Sequence, residues 1–218
     1  MRIGILGSGL MGAKMGTIFA RAGHDVTFSY SHDRKKLEKL ARHAGKTAGA
    51  GTPAEAVKGA DAVFLAVHWS RLDDVLKQAG SLKGKTVISC SLPMNEDESR
   101  RVLGLTTSGA ETIARKAKGA HVVSAFSTVP SEVLFSVFAG RKEKTRPDLI
   151  YAGDNAKAKK AGARLIRDAG FNPVDVGKLS LARYIEPFTL LIAEIAYEGK
   201  HGPALAYHFE HRKQLKRA

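Results

Sequence analysis

The stretch RIGILGSGLMG, residues 2–12, decides the fold of this 218-residue chain. Its first five residues predict a short buried strand, and a GxGxxG turn follows at once and leads into a helix predicted over residues 10–21. In such a turn Gly7 permits the tight reversal, Gly9 lets a pyrophosphate approach the backbone, and Gly12 lets the helix pack closely on the strand. The stretch therefore predicts a dinucleotide-binding βαβ unit.

The end of the second strand, predicted over residues 25–29, indicates which dinucleotide is bound. A unit that prefers NAD usually carries Asp or Glu about 20 residues beyond the fingerprint, where it holds the ribose hydroxyls. This chain has Ser29 there, followed by Ser31, Arg34 and Lys35. The cations could simply be the solvated first turn of a helix predicted over residues 35–43, but that interpretation leaves the missing carboxylate unexplained. We therefore favour NADP(H) over NAD.

Length, charge and cysteine content limit the class of protein. A chain of 218 residues holds one good core and a small addition, so we predict a nucleotide-binding domain over residues 1–178 and a C-terminal helical segment over residues 179–218. The net charge of +14 favours a polyanionic partner: a nucleic acid, a membrane surface or a phosphorylated small molecule. Cationic residues without interleaved aromatics, and no long apolar run, argue for the small molecule. A single cysteine, Cys90, fits a reducing compartment, and we expect a cytoplasmic protein.

The rest of the chain alternates between strand and helix patterns. Strands are predicted over residues 61–67, 85–90, 121–126, 149–153 and 172–176. Helices are predicted between them, two of which open with capping boxes at Thr52 and Ser108. This alternation predicts an α/β fold with a doubly wound, mostly parallel sheet. Residues 179–197 then predict one long apolar helix.

Ligands of such a sheet bind beyond the carboxyl ends of the strands. Val67, His68 and Trp69 end one strand there, and Trp69 could stack beside a nicotinamide ribose or serve only in packing. For His68 the sequence supplies no evident carboxylate partner. The chain shows no catalytic triad and no metal-ligand spacing. The lack of these motifs is compatible with direct hydride transfer, which needs proximity and orientation more than an acid or base.

Three segments carry a family resemblance: VVSAFSTVP at residues 122–130, AGD at residues 152–154, and VDVGKLSLARYIEP at residues 174–187, with its DxGxLSxxRxxE pattern. With these segments the chain resembles the NADPH-dependent coenzyme F-420 reductases, also called F-420-dependent NADP oxidoreductases. The resemblance implies a Rossmann-type domain that holds NADP(H) and a C-terminal helical part that helps to bind a deazaflavin.

The resemblance also implies roles for individual residues. The pyrophosphate would be held by Gly7, Ser8, Gly9, Leu10 and Met11, and the 2′-phosphate by Ser31 and Arg34. The nicotinamide would be bordered by Trp69, Pro93 and Ala125. The deazaflavin positions of the family correspond to Ser127, Val129, Arg183 and Thr189. Archaeal members carry histidine where this chain has Ser127, and Arg183 with Glu186 could instead form an ion pair that fixes the C-terminal helix.

We expect an NADP(H)-dependent oxidoreductase that transfers hydride between NADPH and coenzyme F-420 or a flavin-like acceptor. One alternative is a reductase of an imine or a small carbonyl acid, which would need a proton donor in the crevice. Another is a non-catalytic NADP(H)-binding sensor. Residues 179–197 are too apolar to lie exposed, so we also expect a homodimer, with Arg183 and Glu186 turned toward the ligands.

Overall fold

The computed structural model of the protein describes residues 1–210 and Arg212. It contains one eight-stranded sheet of order β3-β2-β1-β4-β5-β6-β7-β8. The strands are β1 (Arg2–Leu6), β2 (Asp25–Ser29), β3 (Ala48–Ala50), β4 (Ala62–Leu65), β5 (Thr86–Ser89), β6 (His121–Ser124), β7 (Asp148–Gly153) and β8 (Asn172–Gly177). β7 pairs with β6 in the antiparallel sense, and the other neighbouring strands are parallel. The predicted α/β fold with a mostly parallel sheet is confirmed.

Helices cover both faces of this sheet. They are α1 (Leu10–Arg21), α2 (Arg34–Ala44), α3 (Pro53–Val57), α4 (Leu72–Ala79), α5 (Gly109–Lys116), α6 (Leu134–Ala139), α7 (Ala156–Asp168) and α8 (Ala182–Ala193). Along β4, Phe64 belongs to the core cluster beneath α1 and α7, whereas Val63 and Leu65 belong to the cluster beneath α3 and α4. Successive side chains of a strand point to opposite faces, so a strand buried on both faces reads as a continuous apolar run. This explains why its sequence was easy to recognise.

The structure corrects the sequence prediction at four places. Strand β3 and helix α6 were not predicted. The helix that follows Ser108 lacks a complete capping box: the Ser108 hydroxyl accepts from the Glu111 amide at 3.1 Å, but the Glu111 carboxylate turns to the guanidinium of Arg183 instead of the Ser108 amide. The C-terminal segment is not one uniform helix.

That segment comprises a 3-10 turn (Leu179–Leu181), α8, and a π-helical turn (Glu194–Glu198). Residue 211 and residues 213–218 of the predicted C-terminal segment lie outside the described residues. No helix in the described part of the chain is both long and apolar enough to cross a membrane.

Candidate functional site

The glycine turn between β1 and α1 has the geometry that the sequence predicts. Gly7 has φ +119°, and a Cβ there would overlap the carbonyl of Ala66. A Cβ on Gly12 would overlap the carbonyl of Gly7, so both glycines are required by the backbone itself. Around Gly9, by contrast, a Cβ would meet nothing within 4 Å. The turn is therefore open to a ligand at Gly9, directly before the first amides of α1.

A first cavity, of about 260 Å³, lies at the carboxyl end of β2 and is called the β2 cavity below. Its lining residues are Tyr30, Ser31, His32, Arg34, Leu37, Gly51, Thr52, Pro53 and Gln78. The Tyr30 hydroxyl donates to Asp74 at 2.7 Å, and burial together with this carboxylate raises the pKa of Tyr30 to about 12. Ser31 and Arg34, the residues predicted to hold a 2′-phosphate, thus share one cavity.

Other residues near the β2 cavity have structural tasks. The Asp33 carboxylate accepts from the Lys35 amide at 2.8 Å and caps α2. Lys35 is exposed on the first turn of that helix and does not line the cavity. Arg34 is also exposed, with its Nε 3.3 Å from Oε1 of Glu38. Arg34 is the one lysine or arginine among the residues that line the β2 cavity.

The structure corrects the assignment of Ser29 as a nucleotide contact. Its side chain is fully buried, and its hydroxyl donates to the carbonyl of Ile5 at 2.7 Å. The hydroxyl therefore ties β2 to β1 and faces away from the β2 cavity. Ser8 is likewise buried, with its hydroxyl bonded to the Tyr30 carbonyl at 3.2 Å, so it connects the glycine turn to the end of β2.

A second cavity, of about 470 Å³, opens at the carboxyl ends of β1, β4 and β5 and is called the central cavity. Its lining residues are Gly9, Leu10, Met11, Ala66, Val67, His68, Trp69, Cys90, Ser91, Leu92, Met94, Glu98, Thr189, Leu190 and Ala193. Pro93 and Ala125 are buried and do not line it. Pro93 lies beside Gly109, which also adjoins the Trp69 ring. These residues support the wall behind Trp69.

His68 has a carboxylate neighbour, contrary to the expectation from the sequence. Its Nδ1 lies 2.8 Å from the Ser70 hydroxyl, and its Nε2 lies 3.7 Å from Oε1 of Glu98. That Nε2 is buried and has no hydrogen-bond partner. His68 and Glu98 both line the central cavity, so the structure places an imidazole beside a carboxylate in its lining.

A third cavity, of about 280 Å³, adjoins the central one at the end of β6 and is called the β6 cavity. Its lining residues are Leu10, Met11, Cys90, Leu92, Glu98, Phe126, Ser127, Val129, Pro130, Ser131, Thr189, Ile192, Ala193 and Tyr197. The structure brings together three residues predicted at a deazaflavin: Ser127, Val129 and Thr189. The Thr189 hydroxyl donates to the carbonyl of Ile185 at 3.0 Å and lies 3.2 Å from the Ser127 hydroxyl.

Cys90 lines both the central and the β6 cavity and was not among the predicted site residues. Burial raises the pKa of its thiol to about 12, so the thiol stays protonated and is a poor nucleophile near neutral pH. The signal that could have identified it is its position immediately after β5.

Arg183 and Glu186, which are expected to face the ligands, line none of these three cavities. Arg183 forms two hydrogen bonds with the Glu111 carboxylate, at 2.7 and 2.9 Å, and these lower the pKa of Glu111. Glu186 is buried, accepts from the Ala110 amide at 3.1 Å and pairs with Arg101 at 3.1 Å. The two residues do not pair with each other; each fixes α8 to the segment around α5.

No metal site is found in residues 1–210 or at Arg212: no group of three or more His, Cys, Asp or Glu side chains there could hold an ion. The cavities are lined by apolar side chains, a few hydroxyl groups, and polar side chains that include Arg34, His68 and Glu98.

Comparison with proteins of known structure shows the same fold. A candidate F420-dependent NADP-reductase from Arthrobacter sp. FB24 superimposes with a TM-score of 0.83 at 21% identity, covering 97% of this chain and all of that one. A hypothetical protein, SMa0349, from Sinorhizobium meliloti gives 0.72 at 26% identity, covering 96% of both chains. A reductive aminase from Aspergillus terreus, in complex with NADPH and ethyl-5-oxohexanoate, gives 0.65 at 17% identity, covering 88% of this chain and 60% of that one.

Two matches come from comparison of the sequence itself. The chain is 28% identical over 189 residues to the metalloreductase STEAP3 of Rattus norvegicus, an alignment that covers 87% of this chain but only 36% of that protein. The chain thus spans about a third of the length of this curated relative. Residues 2–93 match the family described as NADP oxidoreductase, coenzyme F420-dependent. This match confirms the family resemblance predicted from the sequence over these residues.

Proposed function

We propose that this protein is an NADP(H)-dependent oxidoreductase that transfers hydride between NADPH and a deazaflavin, coenzyme F-420, or a flavin-like acceptor. The observation that carries the proposal is the junction of the central and β6 cavities. The two cavities adjoin, because they share the lining residues Leu10, Met11, Cys90, Leu92, Glu98, Thr189 and Ala193. Two flat ring systems that meet where the cavities join would lie close together, and closeness with correct orientation is the main requirement of direct hydride transfer.

The residues present fit NADP(H). Gly9 leaves open space before the first amides of α1, an arrangement that favours a pyrophosphate. Ser31 and Arg34 offer a hydroxyl and a guanidinium in the β2 cavity, and the Asp33 carboxylate is engaged with the α2 cap. An arginine fork suits a phosphate better than it suits a ribose hydroxyl. The likeness to a reductase solved with NADPH supports the same cofactor.

The β6 cavity suits a flat, partly apolar acceptor. Phe126, Val129 and Ile192 give it apolar walls that exclude water, whereas the Ser127 and Thr189 hydroxyls can hydrogen-bond to the polar edge of a ring. When bound, the nicotinamide and the acceptor ring would supply the redox chemistry themselves. The chain's own contribution is to orient the two rings and to exclude water, and this requires no charged group at the reacting atoms.

Stopped-flow absorbance of NADPH oxidation, with the deazaflavin, FMN, FAD and ferric chelates offered in turn, tests the proposal. We expect turnover with at least one ring acceptor. We also expect a Ser127→Ala variant to raise KM for that acceptor while leaving the Kd of NADPH unchanged, because Ser127 lines the β6 cavity and not the central one. If NADPH binds but no acceptor is turned over, the proposed activity is wrong and a sensor function is favoured.

A second candidate, reduction of an imine or a small carbonyl acid, is favoured by one observation. His68 lines the central cavity with its Nε2 3.7 Å from Glu98, where a proton donor for such a substrate would be needed. A His68→Gln variant distinguishes the two candidates. It should abolish imine or carbonyl reduction, whereas direct transfer to a ring acceptor should continue.

We propose in addition that α8 and the π-helical turn after it contact a second copy of the chain. Tyr184, Leu191, Ile195 and Tyr197 are all large apolar or aromatic side chains that are 49–65% exposed on this one segment. A contiguous apolar surface of this kind is unusual on a monomer. A second copy that covers it would also shield the β6 cavity, whose wall includes Tyr197.

A further inference from the structure

An extended segment near the C-terminus, residues 203–209, is called the C-terminal strap below. It follows the π-helical turn and makes one main-chain bond and two side-chain bonds to the first residues of β7. The Asp148 amide donates to the Tyr207 carbonyl at 2.8 Å, and the Phe209 amide donates to the buried Asp148 carboxylate at 2.6 Å. β6 and β7 pair only near Val123 and Ser124, so the beginning of β7 is free to bind the strap.

The strap places the Tyr207 hydroxyl behind the β6 cavity. This oxygen accepts from the Ile150 amide at 3.1 Å and lies 2.8 Å from the Thr128 hydroxyl. Thr128 is only 1% exposed and stands between Ser127 and Val129, which both line the cavity. The hydroxyl thus ties one wall of the cavity to β7.

The ring of Tyr207 contacts the opposite wall. It packs edge-on against Phe188 of α8, with the ring centroids 5.5 Å apart. The next residue of α8, Thr189, lines the cavity, and its hydroxyl lies 3.2 Å from that of Ser127. One side chain therefore supports both the loop after β6 and helix α8, although it does not itself line the cavity.

We propose that Tyr207 is a positioning residue for the acceptor: through Thr128 and Phe188 it sets the separation of Ser127 and Thr189, the two hydroxyls that face the β6 cavity. The inference rests on the proposed function, because it assigns the acceptor to this cavity. Beyond that function, we expect the affinity for the acceptor to depend on Tyr207, which lies about 80 positions along the chain from the loop that it orients. Burial also raises the pKa of Tyr207, so its hydroxyl keeps its proton across the neutral range.

The Tyr207→Phe variant tests the inference because it removes the hydroxyl and keeps the ring against Phe188. Its matched control is Tyr151→Phe, which removes a hydroxyl from the same strand region, one that donates to Asp175 at 3.4 Å and does not contact the cavity. We expect Tyr207→Phe to raise KM for the acceptor about tenfold, the effect of losing a buried hydrogen bond of ordinary strength. The Kd of NADPH should be unchanged, as should both constants in the control.

A second variant, Thr128→Val, removes the partner of the same hydrogen bond. Because the two residues act through one contact, the double variant should raise KM no more than either single variant does. Thermal melts of all variants separate loss of fold from loss of positioning. Unchanged KM in Tyr207→Phe, an equal loss of NADPH affinity, or an equal effect in Tyr151→Phe would each overturn the inference.

The failure of this inference is distinguishable from that of the proposed function. If the wild-type protein turns over no ring acceptor, the proposed function is overturned and the inference with it. If the wild-type protein turns over an acceptor and Tyr207→Phe behaves identically, only the inference is overturned.

Discussion

The Arg34→Ala substitution should weaken NADP binding and leave NAD binding nearly unchanged. Arg34 lines the β2 cavity and is 80% exposed, and its neighbour in the structure is the Glu38 carboxylate, one helical turn away. A charge-assisted hydrogen bond to a phosphate is worth roughly 1.5–3 kcal/mol. The exposed pair with Glu38 that must be given up for it is worth about 0.3–0.5 kcal/mol. The difference, roughly 1–2.5 kcal/mol, corresponds to about a 5- to 70-fold rise in the Kd of NADP.

Calorimetric titration of both nucleotides against wild-type and variant protein measures this difference. Arg42→Ala is the matched control, because it removes an equal charge from the last turn of the same helix, outside the cavity. Glu38→Gln releases Arg34 from its competitor and should tighten NADP slightly. If Arg34→Ala weakened NAD and NADP equally, or if Arg42→Ala had the same effect, the assignment of the β2 cavity to the 2′-phosphate would be refuted.

Four further results are expected. Ser29→Asp should lower the melting temperature without improving NAD binding, because it buries an unpaired carboxylate. Ser31→Asp, at the cavity, should shift the nucleotide preference toward NAD. A stable Ser29→Asp protein that prefers NAD would contradict the first expectation. Gly12→Ala should abolish nucleotide binding in titrations, because its Cβ meets the Gly7 carbonyl; wild-type affinity would count against the packing argument. Burial, and then the N-terminal charge, lower the pKa of His24 below 6.5, so the native state should lose stability as pH falls below 6.5. Melting curves against pH should be flatter for His24→Gln, and equal slopes would oppose the assignment. Light scattering should give twice the 23.4 kDa chain mass at micromolar protein, and a monomer would contradict the proposed α8 contact.

The fold was predictable where residues are buried on both faces of the sheet or where turn chemistry is explicit. The apolar runs of β1 and β4 and the capping box at Thr52 belong to this class. Strand β3 was missed because its three residues, Ala-Gly-Ala, carry no apolar alternation and lie at the sheet edge. Helix α6 was missed because it follows a 3-10 turn (Ser131–Val133) and offers no side-chain cap.

The candidate site was predictable in its positions but not in its side-chain directions. The spacing beyond the glycine turn correctly located the end of β2. The Ser29 side chain, however, bonds to the neighbouring strand, and the residues after it line the cavity. The partners of Arg183 and Glu186 lie 72 and 85 residues away along the chain, at Glu111 and Arg101. Contacts of that separation are set by tertiary packing and have no local signal.

Three non-glycine residues of the site have a positive φ, a feature that the sequence alone does not indicate. Among the described residues, the non-glycine residues with positive φ are Tyr30, Glu98 and Phe126, and each lines one of the three cavities. Such conformations cost roughly 1–3 kcal/mol each and persist only where surrounding contacts enforce them. Tyr30 is held by its bond to Asp74, and Phe126 by complete burial among aromatic rings. Tyr30 and Phe126 lie at the ends of β2 and β6, and their positive φ angles turn the chain toward the cavities immediately before Ser31 and Ser127. Residues that line a cavity can therefore follow directly after strands whose own side chains are buried in the core.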